Sequence, residues 1–255
     1  MAEIILKDGS TAQDPRLGRV QEFDEASRGF QVRTLLDARQ SLVKIRRRVK
    51  PGVTLDQGHE GACTGFSASH AAESRPFGIK GIDNAWARAV YFENQQNDDW
   101  DGGEYPGATP VYSGSSVLAS MKTLKNRGLI SSYRWVGAGS QTPVDDVIDT
   151  LKYVGPVCFG INWYPSMFDV QPSGLLEVDA TVDPAGGHAI CGHDAVYKKL
   201  PETTKRALYV VLQNSWGTGW GVKYKGQGGF AYVKVEDIET LLTKGGEGAV
   251  PLKTQ

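Results

Sequence analysis

LQNSWGTGWG, residues 212–221, ends an apolar strand and opens a glycine-rich turn. The run leading into it, ALYVVLQ (207–213), is dense in β-branched and aromatic residues, as strands are. Asn214 therefore stands where a strand gives out, followed by Trp216 and Trp220 between glycines. An amide in that position is able to fix the tautomer and orientation of an imidazole, and an indole over the hydrogen bond would exclude water from it. A turn with packed aromatics has the same appearance. The stretch acquires a chemical meaning only if a histidine and a nucleophile lie elsewhere in the chain.

Four histidines are present, His59, His70, His188 and His193. His188 follows Gly186 and Gly187 and opens the strand HAICGHDAV, so its imidazole has open access and the backbone beside it admits close approach. His59 lies in a turn too near the candidate nucleophile in sequence, and His70 falls two turns along the same helix, pointing away from the helix N-terminus. A zinc site at His188, Cys191 and His193 is disfavoured by strand alternation, which puts His188 on one face and Cys191 with His193 on the other. Cys158 and Cys191 sit in apolar strands and read as core residues.

The nucleophile candidate is Cys63, in LDQGHEGACTGFSASHA (55–71), where a glycine-rich turn meets a predicted helix from Cys63 to about Glu73. Helix N-termini favour a thiolate over a thiol. Gly61 and Ala62 leave room at the sulfur, and Gln57 could donate with the Cys63 N–H to an oxyanion. On these local features alone, a small buried side chain in a tight turn is an equally open reading of Cys63.

The rest of the chain bounds the answer. It has 255 residues, 40% hydrophobic and 22% charged, with net charge −1, which suits an ordinary globular protein and gives no general reason to expect nucleic acid or an anionic membrane as partner. Three cysteines argue against a disulfide framework and fit a reducing compartment. No secretory signal and no long apolar run is visible, so a cytoplasmic location is expected, without excluding release by another route. Residues 1–30 are polar and turn-rich and read as an extension on the surface or partly disordered. The basic run Lys44, Arg46, Arg47, Arg48 and Lys50 reads as a solvated strand or loop. Asp98, Asp99, Asp101 and Glu104 lack the spacing of a calcium loop. Further helices are predicted at NAWARAVYFENQQ and SSVLASMKTLKNRG, and strands crowd the second half, which gives an α+β fold with two lobes.

Taken together, DQGHEGACTGFSA, GGHAICGHDAV and LQNSWGTGWG resemble the papain-like cysteine peptidases, in that family's order and over roughly residues 35–240. The resemblance implies a helical lobe at about 50–128 and an antiparallel β-barrel-like lobe at about 129–255, within a peptidase domain spanning 31–255 and with the active site in the cleft. It implies Cys63 as nucleophile, His188 as acid and base, Asn214 as orienter and Gln57 as oxyanion donor. Trp216 would shield the Asn214–His188 bond and line the side of the leaving group, while Gly114 and Gly187 would offer backbone contacts to an extended peptide. The expected activity is endopeptidase hydrolysis of peptides or proteins without cofactor or metal. An acyltransferase or transamidase on the same triad and a non-catalytic peptide-binding relative are the alternatives; the oligomeric state is left open. Two departures stand out: Glu60 where many secreted members have a disulfide cysteine, and Thr64 where a tryptophan is usual. The helical pro-region of the secreted enzymes is also missing, although the N-terminal extension could lie across the cleft.

Overall fold

The computed structural model describes residues 3–39, 49–137 and 142–253. Lys44, Arg46, Arg47 and Arg48 of the basic run lie outside the described residues; Lys50 is exposed. In chain order the elements are β1 (Ile4–Ile5), β2 (Thr11–Ala12), α1 (Glu25–Arg28), α2 (Val32–Arg39), α3 (Cys63–Glu73), α4 (Asn84–Asn97) and α5 (Val117–Asn126). They continue with β3 (Ser132–Val136), α6 (Pro143–Asp149), β4 (Val157–Trp163), β5 (Gly186–Lys198), β6 (Ala207–Gln213), β7 (Val222–Tyr224), β8 (Gln227–Lys234), α7 (Val235–Thr243) and β9 (Glu247–Leu252).

The helices of the first half begin where their caps dictate. Asp83 accepts from the Trp86 N–H and starts α4, and Ser116 accepts from the Ala119 N–H and starts α5. Helix α3 differs. Its N-cap is Ala62, no side chain caps it, and no acid stands in its first turn. Its first N–H groups are therefore left to act on whatever lies at Cys63. Ten of its eleven residues are buried, because small side chains let α4 and α5 pack close around it. A Cβ on Gly65 would stand 2.6 Å from the Tyr91 backbone nitrogen, which measures how close α3 and α4 come.

Seven strands form one antiparallel sheet in the order β3-β9-β4-β5-β6-β8-β7. Alternation along β5 decides which core each residue enters. Ile190 joins the apolar core of the sheet lobe, while Ala189 and Cys191 face α3 and the helical core. Cys158 and Cys191 lie opposite one another across β4 and β5, and both are buried. Among the described residues no helix is long and apolar enough to cross a membrane.

The N-terminal stretch departs from its sequence reading. Leu6, Ala12, Leu17 and Val20 are buried in the same core as the sheet. Lys7 has a side chain with no exposure at all and pairs with Asp98 at 2.7 Å. That pairing also explains one acid of the loop 98–104, since Asp98 accepts from the Ser115 hydroxyl as well. The stretch looked like surface because its apolar residues are scattered singly among polar ones, with neither the helical nor the strand period.

Candidate active site

The N-terminus of α3 and the start of β5 meet at the boundary of the two lobes. Cys63 is the first residue of α3 and is fully buried. The backbone amides of Ala189, next to His188, of Gly18 and of Thr64 approach its sulfur. His188 is also fully buried. Its Nε2 lies 2.8 Å from the Asn214 side-chain oxygen, and its Nδ1 has no hydrogen-bond partner among the described residues. Asn214 is fixed in turn, its oxygen also accepting the Ser215 N–H at 2.8 Å. The imidazole is caged by two indoles, Trp163 at 4.7 Å and Trp216 at 5.1 Å between ring centroids.

Gln57 is aimed by a neighbour. The Ser215 hydroxyl donates to its side-chain oxygen at 2.6 Å, which turns the amide nitrogen the other way. That nitrogen donates to the Glu60 carbonyl at 2.6 Å and to the Arg16 carbonyl at 3.1 Å. The Arg16 carbonyl also approaches the His188 ring. One peptide carbonyl thus sits between the amide of Gln57 and the imidazole of His188.

Arg16 belongs to a strap, residues 13–20, that runs through the cleft. The Gln13 N–H donates to the Ala185 carbonyl at 2.8 Å and the Arg19 N–H to the Gly187 carbonyl at 3.0 Å. On the opposite wall the Ser115 N–H donates to the Gly18 carbonyl at 2.9 Å, and the Val20 N–H to the Ser115 carbonyl at 3.0 Å. Upstream, the Lys7 N–H reaches the Ser113 carbonyl at 3.1 Å. The Arg16 guanidinium lies over the Trp216 ring, 4.0 Å from its centroid. Gly18 touches the turn before the nucleophile: a Cβ there would stand 2.0 Å from the Gly61 carbonyl oxygen.

Burial under the strap sets the charge state. Desolvation pushes the Cys63 thiol up to about 11, against smaller opposing contributions from its backbone hydrogen bonds and from Arg19. Desolvation pulls His188 down to about 4, although its bond to Asn214 works the other way. With the cleft filled, the resting pair is a neutral thiol and a neutral imidazole.

No protein-family model matches the chain, and no curated protein matches it. Solved structures do. Xylellain, a cysteine protease from Xylella fastidiosa, superposes with a TM-score of 0.60 over 96% of this chain and 99% of its own, at 16% identity. The digestive procathepsin L2 proteinase of Tenebrio molitor larval midgut gives 0.52 over 87% of this chain and 72% of its own, at 15% identity. The chain has the fold of the papain-like cysteine proteases. Within the papain-like fold, the two departures noted in the sequence are accommodated locally. Glu60 pairs with Arg88 at 2.7 Å, and Thr64 is buried among α4 and α5, its hydroxyl near the Asn94 amide at 3.4 Å.

The structure brings Cys63, Gln57, His188, Asn214, Trp216 and Gly187 to one place. Gly114 lies against the strap, where a Cβ would stand 2.7 Å from the Gly18 carbonyl oxygen, but its own backbone polar groups point away. Its N–H is taken by the Tyr91 hydroxyl at 2.8 Å and its carbonyl by the Gln95 amide at 2.9 Å. Its neighbours Ser113 and Ser115 make the cleft's backbone contacts instead, because backbone groups on a strand-like edge alternate in direction. His59 is exposed, and His70 is a core residue accepting the Leu55 N–H at 3.1 Å. Sequence reasoning missed Trp163, Ser215 and Glu247, which pairs with Arg19 of the strap at 2.8 Å. Trp163 ends the strand opposite Gly186, and that pairing was the one signal available for it.

His70 and His188 make the fold acid-sensitive. Burial holds His70 near 3 and His188 near 4, both below the unfolded histidine value of about 6.5. The unfolded chain therefore binds more protons between those limits. Their contribution is complete above about pH 6.5 and is lost as pH falls towards 4 and then 3. At pH 5 each costs about 2 kcal/mol relative to pH 7. Urea unfolding at the two pH values is expected to show this loss. His70→Gln, which keeps an acceptor for Leu55, should remove about half of it.

Proposed function

We propose that the chain is a cysteine endopeptidase that acts through Cys63, His188 and Asn214. The observation that carries this reading is the peptide carbonyl of Arg16, held between the Gln57 amide and the His188 ring in a cleft whose walls already pair with extended backbone. A substrate carbonyl in that place would lie beside the Cys63 sulfur at the uncapped end of α3. Attack by the thiolate gives a tetrahedral intermediate whose oxyanion takes hydrogen bonds from Gln57 and the Cys63 N–H. His188 protonates the leaving amine and the C–N bond breaks, leaving a thioester on Cys63. Water, deprotonated by His188, then hydrolyses the thioester and restores the thiol. Asn214 accepts the Nε2–H through its side-chain oxygen, which leaves Nδ1 of the neutral imidazole as the nitrogen that takes up the thiol proton and later gives it to the leaving amine.

The strap gives this peptidase a latent resting state. Ser113–Ser115 would bind the acyl side of a substrate and Trp216 the leaving side. The strap passes from Arg16 on Trp216 to Gly18 and Val20 on Ser115, which is the opposite direction to a substrate under that assignment. It fills the groove without offering its own bonds in a productive sense.

The test is turnover of a mixed peptide pool, read by mass spectrometry, in the full chain carrying Gly18→Ala to displace the strap. Internal cleavages are expected. They should fall by about 10⁴-fold or more when Cys63→Ala is added, as when other members of a triad are removed. Cleavage that persists in Cys63→Ala, or none in the opened chain, sinks the reading. Adding an amine nucleophile separates hydrolysis from transfer, since transfer would give amide products.

A further inference from the structure

Helix α3 has Cys63 at one end and Glu73 at the other, about 15 Å apart along its axis. At the Glu73 end, the segment 49–53 and the turn between β7 and β8 enclose two adjoining hollows of about 460 and 400 Å³, which share Lys50, Pro51, Arg75 and Gln227. The described walls of this groove carry Lys50, Arg75, Lys80 and Lys225, all exposed, against a single acid, Glu73. That acid is committed to the wall itself, its Oε2 accepting the Val53 N–H at 2.9 Å. The Lys225 ammonium donates to the Val49 carbonyl at 2.8 Å, and the Arg75 N–H donates to the Lys50 carbonyl at 3.3 Å. Three separate stretches of chain are thereby tied around one opening. A protein of net charge −1 gathers four cations there, and Lys50, the last member of the basic run in the sequence, is one of them.

Clustered cations select oxyanions. Among the described residues no aromatic side chain lines the groove, so a nucleobase would find nothing to stack on. A peptidase presents its surface to polypeptides, and the oxyanions of a polypeptide are its carboxylates. The groove is also joined to the cleft by one stretch of chain. Segment 49–57 runs from Val49 at the groove to Gln57 at the oxyanion position. Along it Asp56 pairs with Trp216, and the Leu55 carbonyl accepts the Gly217 N–H at 3.1 Å. Trp216 marks the leaving side. A substrate that exits the cleft there and follows this segment reaches the groove after about eight extended residues. Asp56 is exposed part-way and disfavours acids placed nearer the bond.

We propose that this groove is a second substrate-binding site, outside the cleft, and that it holds an acidic stretch of the protein substrate about eight residues after the scissile bond. This inference rests on the peptidase reading and names the substrates such an enzyme favours. Exposed ion pairs are individually weak and are screened by salt, so several carboxylates must bind together. Their gain arises because the cleft already holds the rest of the peptide, which makes the second contact intramolecular. The plain alternative is a solvated face with no ligand. Such a face gives no advantage that depends on where in the peptide the acids stand.

Two readouts test this. Binding is measured on the native full chain by fluorescence anisotropy of a labelled peptide carrying four glutamates, which requires no displacement of the strap. Turnover is measured on the full chain with Gly18→Ala. Its substrate is a peptide cleaved in the mixed pool, extended after the cleavage site by a glycine–serine spacer and then four glutamates or four glutamines. The glutamate tail is expected to raise kcat/KM about tenfold, through KM, when it begins about eight residues after the bond. The same glutamates placed before the bond should give no gain, and the gain should be lost at about 0.5 M salt. Lys50→Glu combined with Arg75→Glu should abolish both the gain and the binding while turnover of the glutamine peptide stays unchanged. Should that pair not fold, Lys50→Glu alone is expected to weaken binding by about threefold or more. A glutamate tail without effect, a gain that ignores its position or survives the substitutions, or an oligothymidylate that binds more tightly than the glutamate peptide overturns the proposal while the peptidase reading stands. Cleavage of none of the peptides sinks the peptidase reading and takes the second site with it.

Discussion

Gly18→Ala should raise the rate at which iodoacetamide labels Cys63 at pH 7 by about 10²-fold. In the native chain Cys63 is fully buried, and the backbone of Gly18 lies against its sulfur, so labelling must wait for the strap to lift. A methyl group at position 18 would meet the Gly61 carbonyl oxygen at 2.0 Å, a separation that real Cβ atoms do not reach. Gly61 cannot give way, because a Cβ at its own position would already be 2.2 Å from the Ser113 hydroxyl and its turn leads straight into α3. The backbone of Gly18 is not in the left-handed region, so alanine carries no conformational penalty of its own there. The clash therefore falls on the closed state alone. Overpacking of this kind costs about 1–3 kcal/mol, which corresponds to about fivefold to 10²-fold in the open population, and a backbone clash belongs at the upper end. The alkylated residue is identified by peptide mass, since Cys158 and Cys191 are buried in the core and serve as internal controls. An unchanged rate would mean that the strap does not guard the thiol.

The strap is also the part of the fold least visible in the sequence. Helix α3 was legible to its end residues because Cys63 follows a glycine turn and a run of small side chains can only be buried. His188 and Asn214 were legible because glycines and a strand end leave each side chain one environment to enter. Leu6, Ala12, Leu17 and Val20 gave no such signal. Their strand-like pairing depends on wall residues about 100 or more positions away, Ser113, Ser115, Ala185 and Gly187, and on backbone groups that every sequence possesses. The same holds for Asp98, whose place in a cluster of acids hid a partner at Lys7, and for Glu247, a lone acid between glycines and an apolar strand. Gly114 is a subtler case. Which of the three consecutive residues 113–115 turns its backbone to the strap is set by Tyr91 and Gln95, which claim the N–H and carbonyl of Gly114 from behind. Local pattern locates elements; the parity and partners of an edge come from packing at long range.

In the chain opened by Gly18→Ala, removing the imidazole with His188→Ala should change the form of the pH profile and not only its height. Under the strap both groups are held neutral by desolvation, the thiol at about 11 and the imidazole at about 4. Lifting the strap readmits water, which removes the largest cause of both shifts. What remains favours the ion pair: the uncapped N-terminus of α3 at the sulfur, and Asn214 hydrogen-bonded at 2.8 Å to Nε2 of the imidazole. The proton then passes from sulfur to Nδ1, and labelling is expected to hold a plateau from about pH 5 to 8, as it does for histidine-paired thiols with pKa values of about 3–4. Without His188 the thiol reverts to an ordinary value of about 8.5, so only about 10⁻³ of it is ionised at pH 5.5. Part of that deficit is offset because a more basic thiolate is intrinsically more nucleophilic, which makes the shape the better readout. The rate should climb about tenfold per pH unit up to about 8, with no plateau beneath. Peptide turnover has no such offset, since His188 also protonates the leaving amine, and should fall by about 10⁴-fold or more. A plateau that survives His188→Ala would show that the helix terminus alone ionises Cys63, and the role of the imidazole would shrink to that of an acid for the leaving group.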